Sequence, residues 1–276
     1  MRHVSILLVT IGICAGLSAC GSSAKGPTTS SDRKTVTAPT RPAADLTIMV
    51  TNDDGVGAPG IDAVVQGLRS LPDVEVTVVA PLSNQSGTGE KTTPGPLSVS
   101  RSETASGYPA IAVHGYPADT VIWAVKDHGL NFRPDLVVSG INLGQNIGPL
   151  ASGSGTVGAA REAASLGIPA LAASQGIDNG SGPDFAEGVP VVEQWVTSHR
   201  SELIGRSYGS EPPSASVNIP TCPSGIRGTV TTVMASGGDT AKAFTVDCKS
   251  TSTTYSNDLQ AFEIGFATLT ALYPPA

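Results

Sequence analysis

The chain has 276 residues, 39% of them hydrophobic and 14% charged, with 16 Lys and Arg against 23 Asp and Glu for a net charge of −7. So acidic a chain is a poor candidate for nonspecific binding of a nucleic-acid polymer, whose phosphates call for clustered cations. Small phosphorylated ligands are not excluded, because a bound cation inverts the local field.

Residues 1–20 read as an export signal. Arg2 and His3 precede an apolar run from Val4 to Leu17 that is too short to span a bilayer comfortably. Leu17-Ser18-Ala19-Cys20 resembles the lipobox of a bacterial lipoprotein, which implies cleavage before Cys20 and lipidation of that cysteine. An ordinary secretory signal cut after Ala19 is the alternative, and either one exports the chain. The lipid anchor would hold the domain on the extracytoplasmic side of a bacterial cell membrane. Residues 21–44 are rich in Ser, Thr, Pro, Gly and Ala without apolar periodicity, and read as a disordered tether. Loss of the signal removes Arg2, leaving 15 cations against 23 acids, a net of −8.

From Asp45 onward, about 230 residues suit one α/β domain with a small extension. Strands are predicted at 46–51, 74–80, 110–113, 135–139 and 169–173, and helices at 59–70, 118–128, 155–166 and 184–204. Pro59 suits a first helical turn, where its missing N–H costs nothing. Near-continuous Val-rich strands are the mark of a parallel sheet covered on both faces. The expected core, 45–206, is therefore an α/β, Rossmann-like three-layer sandwich with a mostly parallel sheet. Residues 207–276 turn to short Thr/Val-rich pieces, around 215–219, 229–235, 243–247 and 261–270, and read as a mostly antiparallel, β-rich C-terminal extension.

Cys14 and Cys20 belong to the signal, so Cys222 and Cys248 are the only pair in the exported domain. An oxidising compartment favours a disulfide between them, worth roughly 3–4 kcal/mol in the chain-entropy model; two separate buried thiols are the alternative.

Asn52-Asp53-Asp54 follows the first strand directly. Open α/β sheets bind ligands at the carboxyl ends of their strands, and paired carboxylates there suit a hard divalent cation. The same residues are ordinary turn formers, so this triplet alone decides nothing. Three more polar clusters follow: Ser83 to Gly89 after the second strand, Gly140 to Gly148 after 135–139, and Ser152 to Gly158 opening a helix. Strand ends in a parallel sheet lie side by side, so these loops should meet the two acids. Two carboxylates, a hydroxyl and an amide oxygen would form an all-oxygen site for Mg²⁺, Mn²⁺ or Ca²⁺. A Ser/Gly/Thr loop at a helix N-terminus offers donors to an anion. Turn and cap roles for Ser86, Asn142, Ser154 and Thr156 stand beside these readings.

Gly153 to Gly158 also fits G-x-G-x-x-G, with Asp178 beyond it, but the dinucleotide fingerprint needs its first Gly straight after a strand. Gly153 lies 14 positions beyond Ser139, which argues against NAD. No nucleophile elbow sits in a strand–turn–helix setting, which argues against a serine hydrolase. His114 has no metal-type or triad-type spacing, His128 and His199 read as surface residues, and Trp123 and Trp195 as core.

Taken together, Asn52-Asp53-Asp54-Gly55 with Ala58-Pro59-Gly60-Ile61, Ala80-Pro81 to Ser86-Gly87, Ser139-Gly140-Ile141-Asn142 with Gly144 and Asn146, and Ser154 to Ala160 resemble the ordered signature blocks of the SurE family. The resemblance runs from about Thr47 to Ser174, with weaker echoes at Val217 to Pro220 and Asn257-Asp258. It implies a metal-dependent phosphatase (5′-nucleotidase) acting on nucleoside monophosphates. It also implies that Asp53, Asp54, Ser86 and Asn142 hold one divalent ion, Mg²⁺ or Mn²⁺ ahead of Ca²⁺, while Asn52, Gly87, Asn146, Ser154, Gly155 and Thr156 surround the phosphate. Asp53, with Asn52 beside it, is the implied catalytic group. The chain departs from the family at Leu150 and Gly153, where an acid and a Tyr are usual, and at Gln85, where Arg is. Those departures keep open a second reading: a membrane-tethered nucleotide- or phosphate-binding lipoprotein with weak or no turnover. Family oligomers rely on C-terminal extensions longer than this one, so no oligomeric state is assumed.

Overall fold

A computed structural model describes residues 44–177, 182–205 and 212–272. The export signal 1–20, the lipidation site Cys20, nearly all of the tether and Asp178 lie outside the described residues. Among the described residues no helix is long and apolar enough to cross a membrane.

Strand alternation sets up the layers. In β1 (Leu46–Thr51) the side chains of Leu46, Ile48 and Val50 join one core, whereas Met49 joins another on the opposite face. The first core is closed by α1 (Pro59–Ser70), through Ile61, Val64, Val65 and Leu68, and by α4 (Phe185–Gly205), through Val192, Trp195, Val196 and Leu203. Those apolar positions recur at helical spacing, so each helix presents one stripe to the sheet. The second core is closed by α2 (Pro117–Val121) and α3 (Gly155–Ser165), whose Ala159, Ala160 and Ala163 let that helix lie close to the sheet. The three-layer α/β sandwich expected from the sequence is the observed fold.

The sheet has nine strands in the order β3-β4-β2-β1-β5-β6-β7-β9-β8. β1, β2 (Val74–Pro81), β4 (Pro109–Val113), β5 (Leu136–Leu143), β6 (Ala170–Gln175) and β7 (Ser214–Ile219) run parallel to one another. β3 (Val99–Glu103) adds an antiparallel edge that the sequence reading did not anticipate. Its one apolar residue and its charged Arg101 and Glu103 fit an edge strand, which has little to bury and gains from charge.

Four further details differ from expectation. β5 does not stop at Ser139: its pairing with β6 slips in register and resumes at Asn142↔Ser174, so Asn142 sits on a strand end. The second helix passes into a π-helical turn at Ile122–Lys126 and ends there, with Asp127 as its C-cap and His128 beyond it at φ 55°. The pieces expected as strands at 243–247 and 261–270 contain instead a 3-10 turn, Thr240–Phe244, and a helix, α5 (Asp258–Glu263), ahead of β9 (Ala267–Ala271). Asn257 caps α5 by accepting from Gln260 N–H, a start signal that outweighs strand propensity nearby. The last strands are also not mostly antiparallel: β7 is parallel to β6 and β8 (Thr229–Thr231) to β9, and only β7 with β9 is antiparallel. β7, β9 and β8 thereby continue the core sheet. Cys222 and Cys248 are joined by a disulfide with their Cα atoms 5.7 Å apart.

Candidate active site

β1 ends at Thr51, and the next three residues lie at the carboxyl edge of the sheet, where β1 stands between β2 and β5. Asn52 and Asp53 are buried and Asp54 is partly so. The Asn52 amide nitrogen donates to Gly55 O at 2.9 Å, which shapes the turn, while its Oδ1 is buried without a hydrogen-bond partner among the described residues.

Asp53 is held from the helix side. Thr156 Oγ1 donates to its Oδ1 at 2.6 Å, and backbone amides of Thr156 and Gly155 add to the stabilisation of its charge. Burial outweighs those donors and pushes the Asp53 carboxyl above the usual carboxylate range. This approach needs glycine at 155. A Cβ there would stand 2.9 Å from Asp53 Cβ and 2.8 Å from Pro117 Cγ, closer than side-chain carbons pack. Ser154 caps α3 by accepting from Val157 N–H at 3.1 Å, which leaves its own hydroxyl proton to give.

Asp54 is held from the sheet side. Leu143 N–H at the end of β5 donates to its Oδ2 at 2.9 Å, and Asn84 Nδ2 lies 3.5 Å from its Oδ1. Burial and the neighbouring Asp53 charge raise its carboxyl to about 6, against the Leu143 donor that lowers it. Neither acid is paired with Lys or Arg among the described residues.

The loops expected to converge are tied to these two acids by direct bonds. In the loop after β2, Gln85 N–H donates to Asp53 O at 2.7 Å, and Asn84 Oδ1 accepts from Ser86 N–H at 2.9 Å. Ser86 is thus one residue from an atom bound to Asp53, and Asn142 is one residue from the amide bound to Asp54. The loop then docks on the helix start, with Gly89 N–H donating to Gly153 O at 3.0 Å. Asn142 spends its Nδ2 on Gly144 O at 2.6 Å, which turns its amide nitrogen away from any cation role. Gly87 is exposed with φ 76° and makes no bond to either acid.

Asn146 belongs to a neighbouring network. Its N–H donates to Asn218 Oδ1 at 2.6 Å and its Nδ2 to Ser174 Oγ at 2.9 Å, and no bond links it to Asp53 or Asp54 among the described residues. Asp258 supports the same loop, accepting from Gly148 N–H at 2.9 Å and Ala235 N–H at 2.7 Å. Leu150, at a position of family departure, packs on the small cluster of Ile147, Leu259 and Phe262, which explains an apolar residue there. Sequence reasoning missed Asn84, Ser174 and the supporting roles of Asn218 and Asp258, because each acts across strands or through a turn rather than by local spacing. His114 is exposed, with Nε2 3.4 Å from Ser100 Oγ.

The set fits a hard cation chemically. Two adjacent acids without a basic partner, both pushed up by burial, are costly when ionised, and a divalent ion would offset that cost. Among the described residues no cluster of three His, Cys, Asp or Glu exists, so amide, hydroxyl or water oxygens would have to complete such a site.

The family model for survival protein SurE matches residues 48–239. The 5′-nucleotidase SurE of Methanopyrus kandleri is 42% identical over 167 residues, covering 56% of this chain and 61% of that protein. The 5′-nucleotidase SurE of Pelobacter propionicus is 44% identical over 179 residues, covering 64% of this chain and 66% of that protein. The chain thus spans slightly less than two-thirds of the length of these curated relatives. The crystal structure of the SurE protein from Aquifex aeolicus is similar over 82% of this chain and 94% of its own, with a TM-score of 0.63 and 28% identity.

Proposed function

The chain belongs to the SurE family, and from that premise we propose that it is a metal-dependent phosphomonoester hydrolase acting on nucleoside monophosphates. The observation that carries this reading is the pair Asp53–Asp54, clamped from opposite sides by Thr156 and by Leu143 N–H and lacking a basic partner among the described residues. The relatives' activity as 5′-nucleotidases supports it.

In this reading Asp53, Asp54, Ser86 and Asn142 hold Mg²⁺ or Mn²⁺, which when bound supplies a Lewis acid for the phosphoryl oxygen and an acidified water. Asn142 contributes through its amide oxygen, its nitrogen being engaged with Gly144 O. Asp53, its own orientation fixed by Thr156, would orient the attacking water. Ser154 donates its hydroxyl to the phosphate, which Asn52, Gly87, Gly155 and Thr156 border, so that a fixed donor faces the charge that develops in the transition state. Asn146 takes part through the Asn218–Ser174 network that fixes its loop. Export and lipidation at Cys20 place this chemistry outside the cytoplasm, and Cys20→Ala should move the protein from the membrane fraction to the soluble one.

The test is phosphate release from AMP and p-nitrophenyl phosphate by the purified chain with Mg²⁺, Mn²⁺ or EDTA, beside Asp53→Asn. Release that requires metal and falls at least a hundredfold in the variant is the expected result. Tight AMP binding without release would favour the non-catalytic lipoprotein reading, for which Leu150 and Gly153 speak.

A further inference from the structure

Asp119, on α2, is only 1% exposed, yet nothing in the site described above uses it. A carboxylate taken out of water is costly unless donors surround it. Tyr116 N–H donates to its Oδ2 at 2.8 Å, the ordinary reach of an acid in a first helical turn back to the start of its own helix. The other two donors belong to Thr93, 26 residues earlier, whose N–H lies 2.9 Å from Oδ1 and whose hydroxyl lies 2.6 Å from Oδ2. Helix capping does not call for them. The seat depends on glycine at 115, where a Cβ would stand 2.5 Å from Asp119 Oδ2.

Thr93 is the half-buried residue of an otherwise exposed run from Glu90 to Pro96, and its bonds to Asp119 tie that run to α2. The same loop carries Ser86. Gln85 N–H pins it to Asp53 O, and Gly89 N–H pins it to Gly153 O. A Cβ at Gly158 would stand 2.3 Å from Gly89 O, so the loop rests on the backbone of α3, and Glu90 adds an ion pair with Arg161 at 3.0 Å. Ser86 and Gly87 lie exposed on the arch between the Gln85 and Gly89 pins. The position of Ser86 therefore depends on how firmly the two feet of that arch are held, and Thr93 secures the outer one.

α2 also reaches the acids. Thr120 Oγ1 donates to Pro117 O at 2.6 Å, so in its 2.8 Å contact with Thr51 Oγ1 it accepts. Thr51 is the last residue of β1, two positions before Asp53. Pro117 and Asp53 together crowd the space where Gly155 would carry a Cβ. One short helix thus grips the strand end that presents Asp53 and, through Asp119, the loop that presents Ser86.

We infer that Asp119 is a positioning residue: by holding Thr93 it fixes the Ser86 loop relative to Asp53, and so sets the spacing of the oxygens that would share the metal. The inference rests on the hydrolase reading above and adds to it a residue that touches neither metal nor phosphate.

The full chain is compared with Thr93→Val, Thr93→Ser and Asp119→Asn. Thr93→Val deletes the hydroxyl bond and leaves Asp119 both amide donors, so no buried charge is stranded. The readouts are backbone hydrogen exchange without metal, Mn²⁺ affinity by calorimetry, and AMP hydrolysis. Thr93→Val should speed exchange at the Gln85 and Gly89 amides roughly tenfold while amides within β1 keep their rates. It should weaken Mn²⁺ binding about tenfold, the lower end of what loss of an outer partner of a metal ligand costs. Asp119→Asn should shift both further, and Thr93→Ser should restore both. Most of the activity lost at low Mn²⁺ should return at saturating Mn²⁺, because the loop is displaced and the reacting groups are intact.

Loss of stability with Mn²⁺ affinity or Gln85 exchange unmoved in Thr93→Val makes the bond a packing contact and overturns the inference. Exchange that rises equally in β1 overturns it too. In either case metal-dependent phosphate release by the unaltered chain keeps the hydrolase reading. If the unaltered chain releases no phosphate, that reading fails, and Mn²⁺ affinity with Gln85 exchange still decides the role of Asp119. A shift of both in Thr93→Val sustains it, and either one unmoved rejects it.

Discussion

Thr156 Oγ1 donates to Asp53 Oδ1 at 2.6 Å although 103 residues separate the two, so the first turn of α3 is built around a carboxylate from the end of β1. A helix N-terminus is a natural seat for negative charge, and here the chain supplies that charge itself. Thr156→Val should raise the Asp53 carboxyl further and leave it poorly oriented. Removing such an outer partner of a metal-binding carboxylate typically costs 10- to 100-fold in metal affinity or activity. We expect about that loss in Mn²⁺ affinity by calorimetry, with Thr156→Ser restoring most of it. Unchanged affinity in Thr156→Val would mean that the hydroxyl serves the helix and not the acid.

Gly155→Ala tests the same junction by volume. The added methyl meets Asp53 Cβ at 2.9 Å and Pro117 Cγ at 2.8 Å, and neither neighbour is the free end of a flexible side chain. Overpacking of this kind costs about 1–3 kcal/mol. Urea denaturation should show a lower midpoint with an unchanged slope, and metal-dependent activity should fall more steeply than stability.

The convergence of loops on Asp53 and Asp54 was legible in the sequence because parallel strands place their carboxyl ends together, and Val-rich runs mark parallel strands. What escaped were features set by partners distant in sequence. Asn142 reads as a loop residue until β6 is seen to resume pairing at Ser174. Val99 to Glu103 carries too little apolar pattern to mark an edge strand. Asp258 looks like a turn acid, yet it is fully buried and satisfied by amides from two other loops. Periodicity reports which face is covered, and it is silent on which distant amide a buried acid will find.

Asp54 makes the metal-free chain sensitive to pH. Its folded-state carboxyl sits near 6 against an ordinary 3.8, so between those values the folded chain holds a proton that the unfolded chain has lost. Stability therefore falls as pH rises from about 4 through 6, and is highest below the ordinary value. Solvent reaches this site, so the effect attributable to Asp54 is about 1 kcal/mol once screening is allowed for. With EDTA present, Asp54→Asn should flatten that part of the stability curve relative to the unaltered chain. A curve of the same slope in both would place the sensitivity elsewhere.

The Cys222–Cys248 bridge spans a sequence separation of 26 and ties the segment after β7 to the stretch before α5. Cross-linking a loop of that length restricts the unfolded chain by about 3 kcal/mol in the entropy model. Cys222 N–H also donates to Glu187 Oε2 on α4 at 3.2 Å, so the bridge lies on a contact between the last strands and a core helix. Cys248→Ser should lower stability by about that amount in urea denaturation, and dithiothreitol should lower the unaltered chain to the same level while leaving the variant unmoved. Because Ala235 lies within the bridged loop and Asp258, which binds the Gly148 and Ala235 amides, follows it, hydrogen exchange at those two amides should rise in the variant while exchange in β1 and β2 stays slow. Equal acceleration in β1 and β2 would show that the sheet opens as one unit and that the bridge has no local role.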